Sequence, residues 1–81
     1  MKHYVYIIES LAHPDQYYVG MTDDIDARLA DHNNGKSPHT AKFKPWRVIF
    51  HCWFYDVTKA RAFEKYLKSG SGRAFASKRL R

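Results

Sequence analysis

Five residues of this chain have side chains that bind anions, hold cations or transfer protons: Tyr6, Tyr18, Arg28, His32 and Glu64. A guanidinium binds phosphate or carboxylate oxygens with two parallel donors, and an imidazole exchanges its proton near neutral pH. A carboxylate commonly holds Mg²⁺ together with water and substrate phosphate. These groups suit the binding of an anionic substrate and proton transfer at it, provided that the fold brings them together.

Arg28 and His32 lie on the first predicted helix, beside its buried stripe. At 100° per residue, Ile25 and Leu29 lie about 40° apart and mark that stripe. Arg28 and His32 flank it one turn from each other, so both are expected on the inner side. A plainer interpretation stays open, in which Arg28 reaches water from the edge of the stripe and His32 is a packing residue. The nearby carboxylates are expected to face water: Asp23, Asp26 and Asp31.

Glu64 falls within the apolar stripe of the second predicted helix, between Ala60 and Leu67. Glutamate is almost never buried without a partner, so this carboxylate needs a cation, a hydrogen-bond network or a metal ion. An ion pair with Arg28 is one alternative, and a site for Mg²⁺ is another. The residues alone leave both open.

The tyrosines complete a polar cluster on two predicted strands. Tyr4 and Tyr6 share one face of the first strand, and Tyr18 lies beside Gly20 in the second. Core packing explains any one of these tyrosines, although a buried hydroxyl usually needs a partner. Packing alone explains poorly why two of them lie near an inward arginine, histidine and glutamate.

The elements that must position these residues follow from hydrophobic pattern and turn chemistry. Residues 2–9 and 17–21 predict a hairpin of two strands, and Thr22, Asp23 or Asp24 caps a helix that ends at Asn33-Asn34-Gly35. Residues 35–46 predict a loop, and the apolar run 47–55 predicts the central strand. Asp56 or Thr58 then caps a helix to about Ser69, with Gly70 as its C-cap and Ser71 capping a third helix through Leu80. The order β-β-α-β-α-α predicts an α+β domain around a three-stranded sheet.

Length and composition restrict the possible classes of protein. The 81 residues suffice for one domain, residues 1–81, and the lone Cys52 allows no internal disulfide. No signal peptide is visible, and no apolar stretch approaches the roughly 20 residues of a membrane span. The sequence therefore predicts a cytoplasmic protein that does not span a membrane.

The charge is unevenly distributed along the chain. Residues 1–34 hold Lys2 and Arg28 against six acidic residues, a net charge of −4, whereas residues 35–81 hold twelve basic residues against Asp56 and Glu64, a net charge of +10. This asymmetry favours a polyanionic partner for the second half. A generic solubilising surface is the plainer alternative.

The order of these residues resembles that of the GIY-YIG nuclease family, most closely its short bacterial members. In that family a G-I-Y-like tripeptide on the first strand pairs with a Y-I-G-like tripeptide on the second. Here Tyr4-Val5-Tyr6 and Tyr18-Val19-Gly20 stand in these places, with eleven residues between Tyr6 and Tyr18. The arginine of the family's first helix, a histidine one turn later and a glutamate on the next long helix match Arg28, His32 and Glu64. Met21 stands where some members place a lysine.

The resemblance implies a metal-dependent endonuclease that hydrolyses phosphodiester bonds, with DNA as the expected substrate. Glu64 would hold one divalent ion, Mg²⁺ or Mn²⁺, and Arg28 would bind a phosphate oxygen. No small-molecule cofactor is implied. Weak sequence preference and strong salt dependence follow if the basic loop and tail contact backbone phosphates. The residues expected to make these contacts are Lys36, Lys42, Lys44, Arg47, Arg73, Lys78, Arg79 and Arg81.

The identity of the general base stays open at this point. A tyrosine with an unperturbed pKa near 10 is roughly 0.1% ionised at neutral pH. Relatives are thought to use a motif tyrosine, which favours Tyr6, with Tyr18 orienting the water. His32 is the rival, because its unperturbed pKa is near 6.5, and it could also relay the proton of the tyrosine.

Two other classes of function compete with the nuclease. One is a non-catalytic nucleic-acid-binding module of the same fold, and the other is a protein-interaction domain with an acidic partner. Metal-dependent cleavage separates the nuclease from both. DNA is not distinguished from RNA by the sequence, and repair, recombination and mobile-element defence are all open. A homodimer is a further expectation only if one site must cut both strands of a duplex.

Overall fold

Three strands and three helices make up the computed structural model, which describes residues 1–81. In chain order they are β1 (His3–Ser10), β2 (Tyr17–Thr22), α1 (Ile25–Asn33), β3 (Trp46–Phe54), α2 (Val57–Lys68) and α3 (Gly70–Arg79). The predicted α+β class is confirmed, and the predicted element bounds agree to within about two residues. None of the helices is long and apolar enough to cross a membrane.

The sheet is antiparallel and has the strand order β2-β1-β3, so β1 is the central strand. The prediction that residues 47–55 form the central strand was wrong. Residues 5–8 of β1 are buried on both sides of the sheet, whereas β3 exposes His51 and Trp53. The apolar run in β3 therefore belongs to an edge strand with large aromatic residues on both faces.

The sheet separates two apolar clusters. On one face α2 and α3 cover the larger cluster, which is formed by Val5, Ile7, Ala60, Leu67 and Ala76. On the other face α1 packs with Ile25 and Leu29 against a smaller cluster of Tyr6, Ile8 and Trp46. Alternate residues of β1 thus face opposite layers, and Tyr6 lies in the layer that contains α1.

The helices begin where side-chain oxygens can accept from exposed backbone N–H groups. Asp24 accepts from the N–H of Ala27 at 3.0 Å, and Asp56 accepts from the N–H of Thr58 at 2.8 Å. Both caps were among the predicted alternatives.

The junction between α2 and α3 differs from the prediction. Ser69, not Ser71, caps α3, because its hydroxyl accepts from the N–H of Gly72 at 3.1 Å. Gly70 is the first residue of α3 and not a C-cap in the left-handed conformation. A Cβ at Gly72 would overlap the backbone carbonyl of Tyr66. The two helices therefore join directly through the extended backbone of Ser69 and pack closely at Gly72.

Hydrogen bonds connect the loop after α1 to the start of β3. Gly35 has φ +75°, as the predicted helix terminator requires. The side chain of Asn33 accepts from the backbone N–H of Trp46 at 2.6 Å and donates to the carbonyl of Trp46 at 3.1 Å. The indole N–H of Trp46 donates in turn to the carbonyl of Thr40 at 2.9 Å. The loop, which contains a short 3-10 turn at Ala41–Phe43, is thus held against the layer that contains α1.

Candidate active site

Gly20 makes room for the side chain of Tyr6. The two residues are direct partners in the β1–β2 ladder, and a Cβ at position 20 would overlap the phenol oxygen of Tyr6. The ring of Tyr6 therefore extends across β2, which it could not do past a larger residue. The glycine of Tyr18-Val19-Gly20 has a steric role in placing a candidate catalytic group.

Tyr6, His32 and Thr40 form a buried chain of hydrogen bonds. The phenol oxygen of Tyr6 lies 2.8 Å from Nε2 of His32, and Nδ1 of His32 lies 2.7 Å from the hydroxyl of Thr40. These residues are 2%, 0% and 1% exposed, respectively. His32 is thus fully buried, and both of its ring nitrogens have a partner. Its neighbours are functional groups and not simply the apolar packing of the plainer interpretation.

Tyr18 contacts the same histidine from β2. Its ring lies 5.2 Å from that of His32, with an angle of 60° between the planes. The ammonium of Lys68 lies 5.8 Å from the centre of the Tyr18 ring on the side of α2. Tyr18 therefore stands between the histidine of one layer and the charged residues of the other.

Burial and nearby charges keep Tyr6 and His32 neutral. Burial raises the pKa of Tyr6, and Tyr18 and Glu64 raise it further, against the lowering effect of the Arg28 guanidinium. Burial also lowers the pKa of His32, as does Arg28, while Asp31 raises it. At neutral pH the pair therefore consists of a phenol and an uncharged imidazole joined by one hydrogen bond.

Arg28 and Glu64 are at the edge of the site and are partly exposed. Arg28 lies 3.7 Å from Asp31, and Glu64 lies 3.0 Å from Lys68. The ion pair between Glu64 and Arg28 that the sequence left open is therefore not formed. Asp31, which was expected to face water, is half-buried beside Arg28. Glu64 is nevertheless connected to the site, since its partner Lys68 also lies 5.8 Å from the ring centre of Tyr18.

Glu64 is the side chain of the candidate site that could hold a divalent ion such as Mg²⁺ or Mn²⁺. No three His, Cys, Asp or Glu side chains come together in the chain to form an all-protein cage. Mg²⁺ does not require one, because it retains several waters and is commonly held by one or two carboxylates plus substrate phosphate. Glu64 is such a carboxylate, with a side chain that is 22% exposed and so accessible from solvent.

The tail cations adjoin the site more closely than the loop cations. Arg73 and Arg81 line a cavity of about 480 Å³ together with Lys68 and Tyr18. The guanidinium of Arg81 stacks 4.1 Å from the ring centre of Tyr17. The end of α3 adds two exposed cations, Lys78 and Arg79.

Several loop cations already have partners. Arg47 pairs with Glu9 through two hydrogen bonds of 2.7 and 3.0 Å. Lys36 lies 3.7 Å from Asp31. Lys42 lies 5.2 Å from the ring centre of the neighbouring Phe43, and Lys44 is exposed. The loop therefore offers less free positive charge than its sequence indicates.

Two residues of the site were not anticipated from the sequence. Lys68 is four residues after Glu64, which is the spacing of a helical ion pair, so a search for such pairs would have found it. Thr40 has no comparable signal, because it reaches His32 only through the path of the loop.

A class of catalytic domain is defined by this combination of fold and residues. It has an antiparallel sheet with a Tyr-x-Tyr strand and a Tyr-x-Gly strand, an arginine on the first helix and a glutamate on a later helix. The chain matches the GIY-YIG catalytic domain over residues 2–78 and belongs to this family, a nuclease superfamily. Among its relatives is a UPF0213 protein of Lacticaseibacillus paracasei, 37% identical over 67 residues that cover 82% of this chain and 73% of the relative. A UPF0213 protein of Staphylococcus haemolyticus is 32% identical over 71 residues, which cover 86% of this chain and 84% of that one.

The fold is also similar to that of a relative whose structure has been solved. The solution NMR structure of the UPF0213 protein BH0048 from Bacillus halodurans aligns with a TM-score of 0.58 and 30% sequence identity. The alignment covers 99% of this chain and 87% of that protein. The names of these relatives state no substrate.

Proposed function

We propose that this protein is a metal-dependent endonuclease that hydrolyses phosphodiester bonds in nucleic acid, with DNA as its substrate and little sequence specificity. The observation that carries the proposal is the hydrogen-bonded Tyr6–His32 pair, with Arg28 one turn before His32 on α1 and with Glu64 connected to it through Lys68 and Tyr18. A module that only binds nucleic acid needs no carboxylate at this point, because a negative charge there repels phosphate.

Arg28 and Glu64 would neutralise the charge of the scissile phosphate. Arg28 is half-exposed and its partner Asp31 is 3.7 Å away, so its planar donors are available to a phosphate oxygen. Glu64 would hold one Mg²⁺ or Mn²⁺, which when bound supplies Lewis-acid stabilisation of the phosphate and the leaving oxygen. Lys68 must then leave Glu64, and it remains beside Tyr18, where it can contact the substrate backbone.

Tyr6 and His32 would act together as the base. Tyr6 cannot serve as a resting phenolate, since burial raises its pKa. His32 lies within hydrogen-bond distance of the phenol and is neutral. Attack by water therefore requires two coupled transfers, in which the water proton goes to the oxygen of Tyr6 while the phenol proton goes to Nε2 of His32. Tyr18, in contact with His32, would orient the attacking water.

The cations of the tail would bind the nucleic-acid backbone next to the site. Lys68, Arg73 and Arg81 surround a cavity that also borders Tyr18. Contacts with phosphate oxygens hold the substrate in position and carry little sequence information. Binding should consequently weaken steeply as the salt concentration rises.

The test is cleavage of labelled duplex, single-stranded and branched DNA, with Mg²⁺ or Mn²⁺ and with chelator, by the protein and by Glu64→Gln. Loss of several kcal/mol of metal assistance lowers the rate by about 100-fold or more. Glu9→Gln is the matched control. Glu9 is also a partly buried glutamate in an ion pair, but its partner is Arg47 and not Lys68. Its rate should stay near that of the unmodified protein.

Two outcomes would contradict the proposal. Cleavage that survives both chelation and Glu64→Gln would place the active site elsewhere. Binding without cleavage on every substrate, RNA included, would favour the non-catalytic nucleic-acid-binding module instead.

A further inference from the structure

Thr40 ends a buried chain of hydrogen bonds that begins at the phenol of Tyr6. Its hydroxyl lies 2.7 Å from Nδ1 of His32, and the other ring nitrogen lies 2.8 Å from Tyr6. Every buried side-chain nitrogen and oxygen has a hydrogen-bond partner. The direction of each bond in the chain can therefore be assigned from the group at its loop end.

At the loop end, Thr40 must accept a hydrogen bond from His32. A threonine hydroxyl has a single proton to donate, and that of Thr40 points to the carbonyl of Ser37 at 3.5 Å. A carbonyl can only accept, so the proton is directed to Ser37. The oxygen of Thr40 is then left to accept from Nδ1–H of His32.

At the sheet end, Tyr6 donates a hydrogen bond to His32 once Nδ1 carries the imidazole proton. Nε2 of His32 lies 2.8 Å from the phenol oxygen, and a neutral imidazole with its proton on Nδ1 can only accept at Nε2. A phenol can donate or accept, so the direction of this bond follows from the acceptor at Thr40. The two bonds together then describe one tautomer, with the proton on Nδ1.

Further hydrogen bonds, beyond those that join Tyr6, His32 and Thr40, hold the Thr40 hydroxyl in place. The indole of Trp46 donates to the Thr40 carbonyl at 2.9 Å, and Asn33 binds both backbone polar groups of Trp46. These bonds connect the end of α1, which carries His32, to the loop that carries Thr40. The distance between the imidazole and the hydroxyl is thus set by the fold and not by side-chain rotation alone.

We propose that Thr40 is a positioning residue that fixes His32 as the Nδ1–H tautomer, so that Nε2 is free to accept the proton of Tyr6. The hydrogen bond made by one ring nitrogen decides which nitrogen carries the proton. The consequence for cleavage rests on the proposed function, whereas the tautomer is a property of the folded protein without substrate. The charged and titratable groups that face His32 are Tyr6, Tyr18, Arg28 and Asp31.

The tautomer can be measured by ¹⁵N NMR of the histidine side chains near neutral pH, with the His32 signals assigned by their loss in His32→Gln. The protein and Thr40→Ser should show protonated Nδ1 and bare Nε2. Thr40→Val removes the acceptor with little change in shape, so the proton should move to Nε2 and donate to Tyr6. An Nε2–H signal in the unmodified protein, or an unchanged tautomer in Thr40→Val, would overturn the proposal.

Cleavage kinetics give a second measurement. Thr40→Val should lower kcat by about 100-fold, the usual range for loss of a proton acceptor, with KM changed by less than about twofold. Thr40→Ser should recover the rate. Thr58→Val is the matched control, because Thr58 is exposed and its side chain lies at the start of α2. Equal rates for Thr40→Val and Thr58→Val would contradict the role in cleavage.

The two measurements separate the two proposals. The expected tautomer in a protein that cleaves no nucleic acid would contradict the proposed function and leave the role of Thr40 in fixing the tautomer supported. Cleavage by a protein in which Nε2 of His32 carries the proton would support the proposed function and contradict the role of Thr40. If Thr40→Val does not fold, the tautomers of the unmodified protein and of Thr40→Ser still decide whether Nδ1 carries the proton.

Discussion

The candidate site has two halves that differ in burial and in charge. Tyr6, His32 and Thr40 form an inner half that is almost completely buried, and its members are neutral and hydrogen-bonded to one another. Glu64 and Lys68 form an outer half of charged, partly exposed side chains that are paired with each other. The inner half is therefore part of the folded structure, whereas the outer half can exchange its partners for a substrate or an ion.

The difference follows from the cost of burying charge. An unpaired buried charge is so unfavourable that the group usually becomes neutral instead. Burial lowers the pKa of His32 for this reason, so the imidazole stays uncharged. A neutral hydrogen bond carries no such penalty. An exposed ion pair contributes only about 0–1 kcal/mol, so Lys68 can leave Glu64 at small cost.

The largest expected effect is a contrast in stability between the two halves. His32→Ala leaves the buried phenol of Tyr6 without its partner and removes one of the two partners of the Thr40 hydroxyl, which should lower the free energy of unfolding by about 2–4 kcal/mol. Glu64→Gln should change it by less than about 1 kcal/mol. Urea denaturation of both variants measures the difference. Equal losses would show that the inner half is not a structural unit.

A smaller loss is expected when the space for Tyr6 is filled. Gly20→Ala introduces a Cβ that overlaps the phenol oxygen, and overpacking of this kind costs about 1–3 kcal/mol. The ring must also move away from His32, so cleavage should fall together with stability. Gly70→Ala is the control, since a Cβ there meets no atom within 4 Å. A midpoint of urea unfolding for Gly20→Ala that equals that of Gly70→Ala would contradict the steric role of Gly20.

The pH dependence of stability tests whether His32 is held neutral. Its pKa is lowered in the folded protein, so the unfolded chain takes up the proton first as the pH falls below about 6.5. Stability is therefore retained above that pH and lost below it, by at most about 1.4 kcal/mol per pH unit for a single group. Thermal unfolding between pH 7.5 and 5.5 should show a fall in Tm that is reduced in His32→Gln. Parallel curves for the two proteins would count against a neutral His32.

The smallest expected change in stability comes from the outer half. Lys68→Met removes the ion pair with Glu64 and should change the free energy of unfolding by less than about 0.5 kcal/mol. Because it frees the carboxylate, it should tighten binding of Mn²⁺, measured from the loss of the free-ion signal in electron paramagnetic resonance. Lys65→Met is the control for loss of one positive charge from α2. If both variants bind Mn²⁺ equally, Lys68 does not compete for Glu64.

Much of the fold could be predicted from the sequence because its signals are local. The hydrophobic pattern, the caps at Asp24 and Asp56 and the terminator at Gly35 depend on residues only a few positions apart. The helical period also indicated that His32 and Glu64 lie on inner faces, and both are at least half-buried. For the same reason the sequence could indicate which groups belong to the candidate site, but not the partner of each group.

The sequence by itself determined the elements, most of their boundaries and the inner faces on which His32 and Glu64 lie, since these follow from backbone geometry over one or two turns. Only the tertiary structure decided that β1 is central, that Lys68 and not Arg28 pairs with Glu64, and that Thr40 binds His32. Strand order depends on which strand is covered on both faces, and the place of Thr40 depends on a loop fastened to β3. These are contacts between residues that are far apart in the sequence, and no local pattern of residues predicts them.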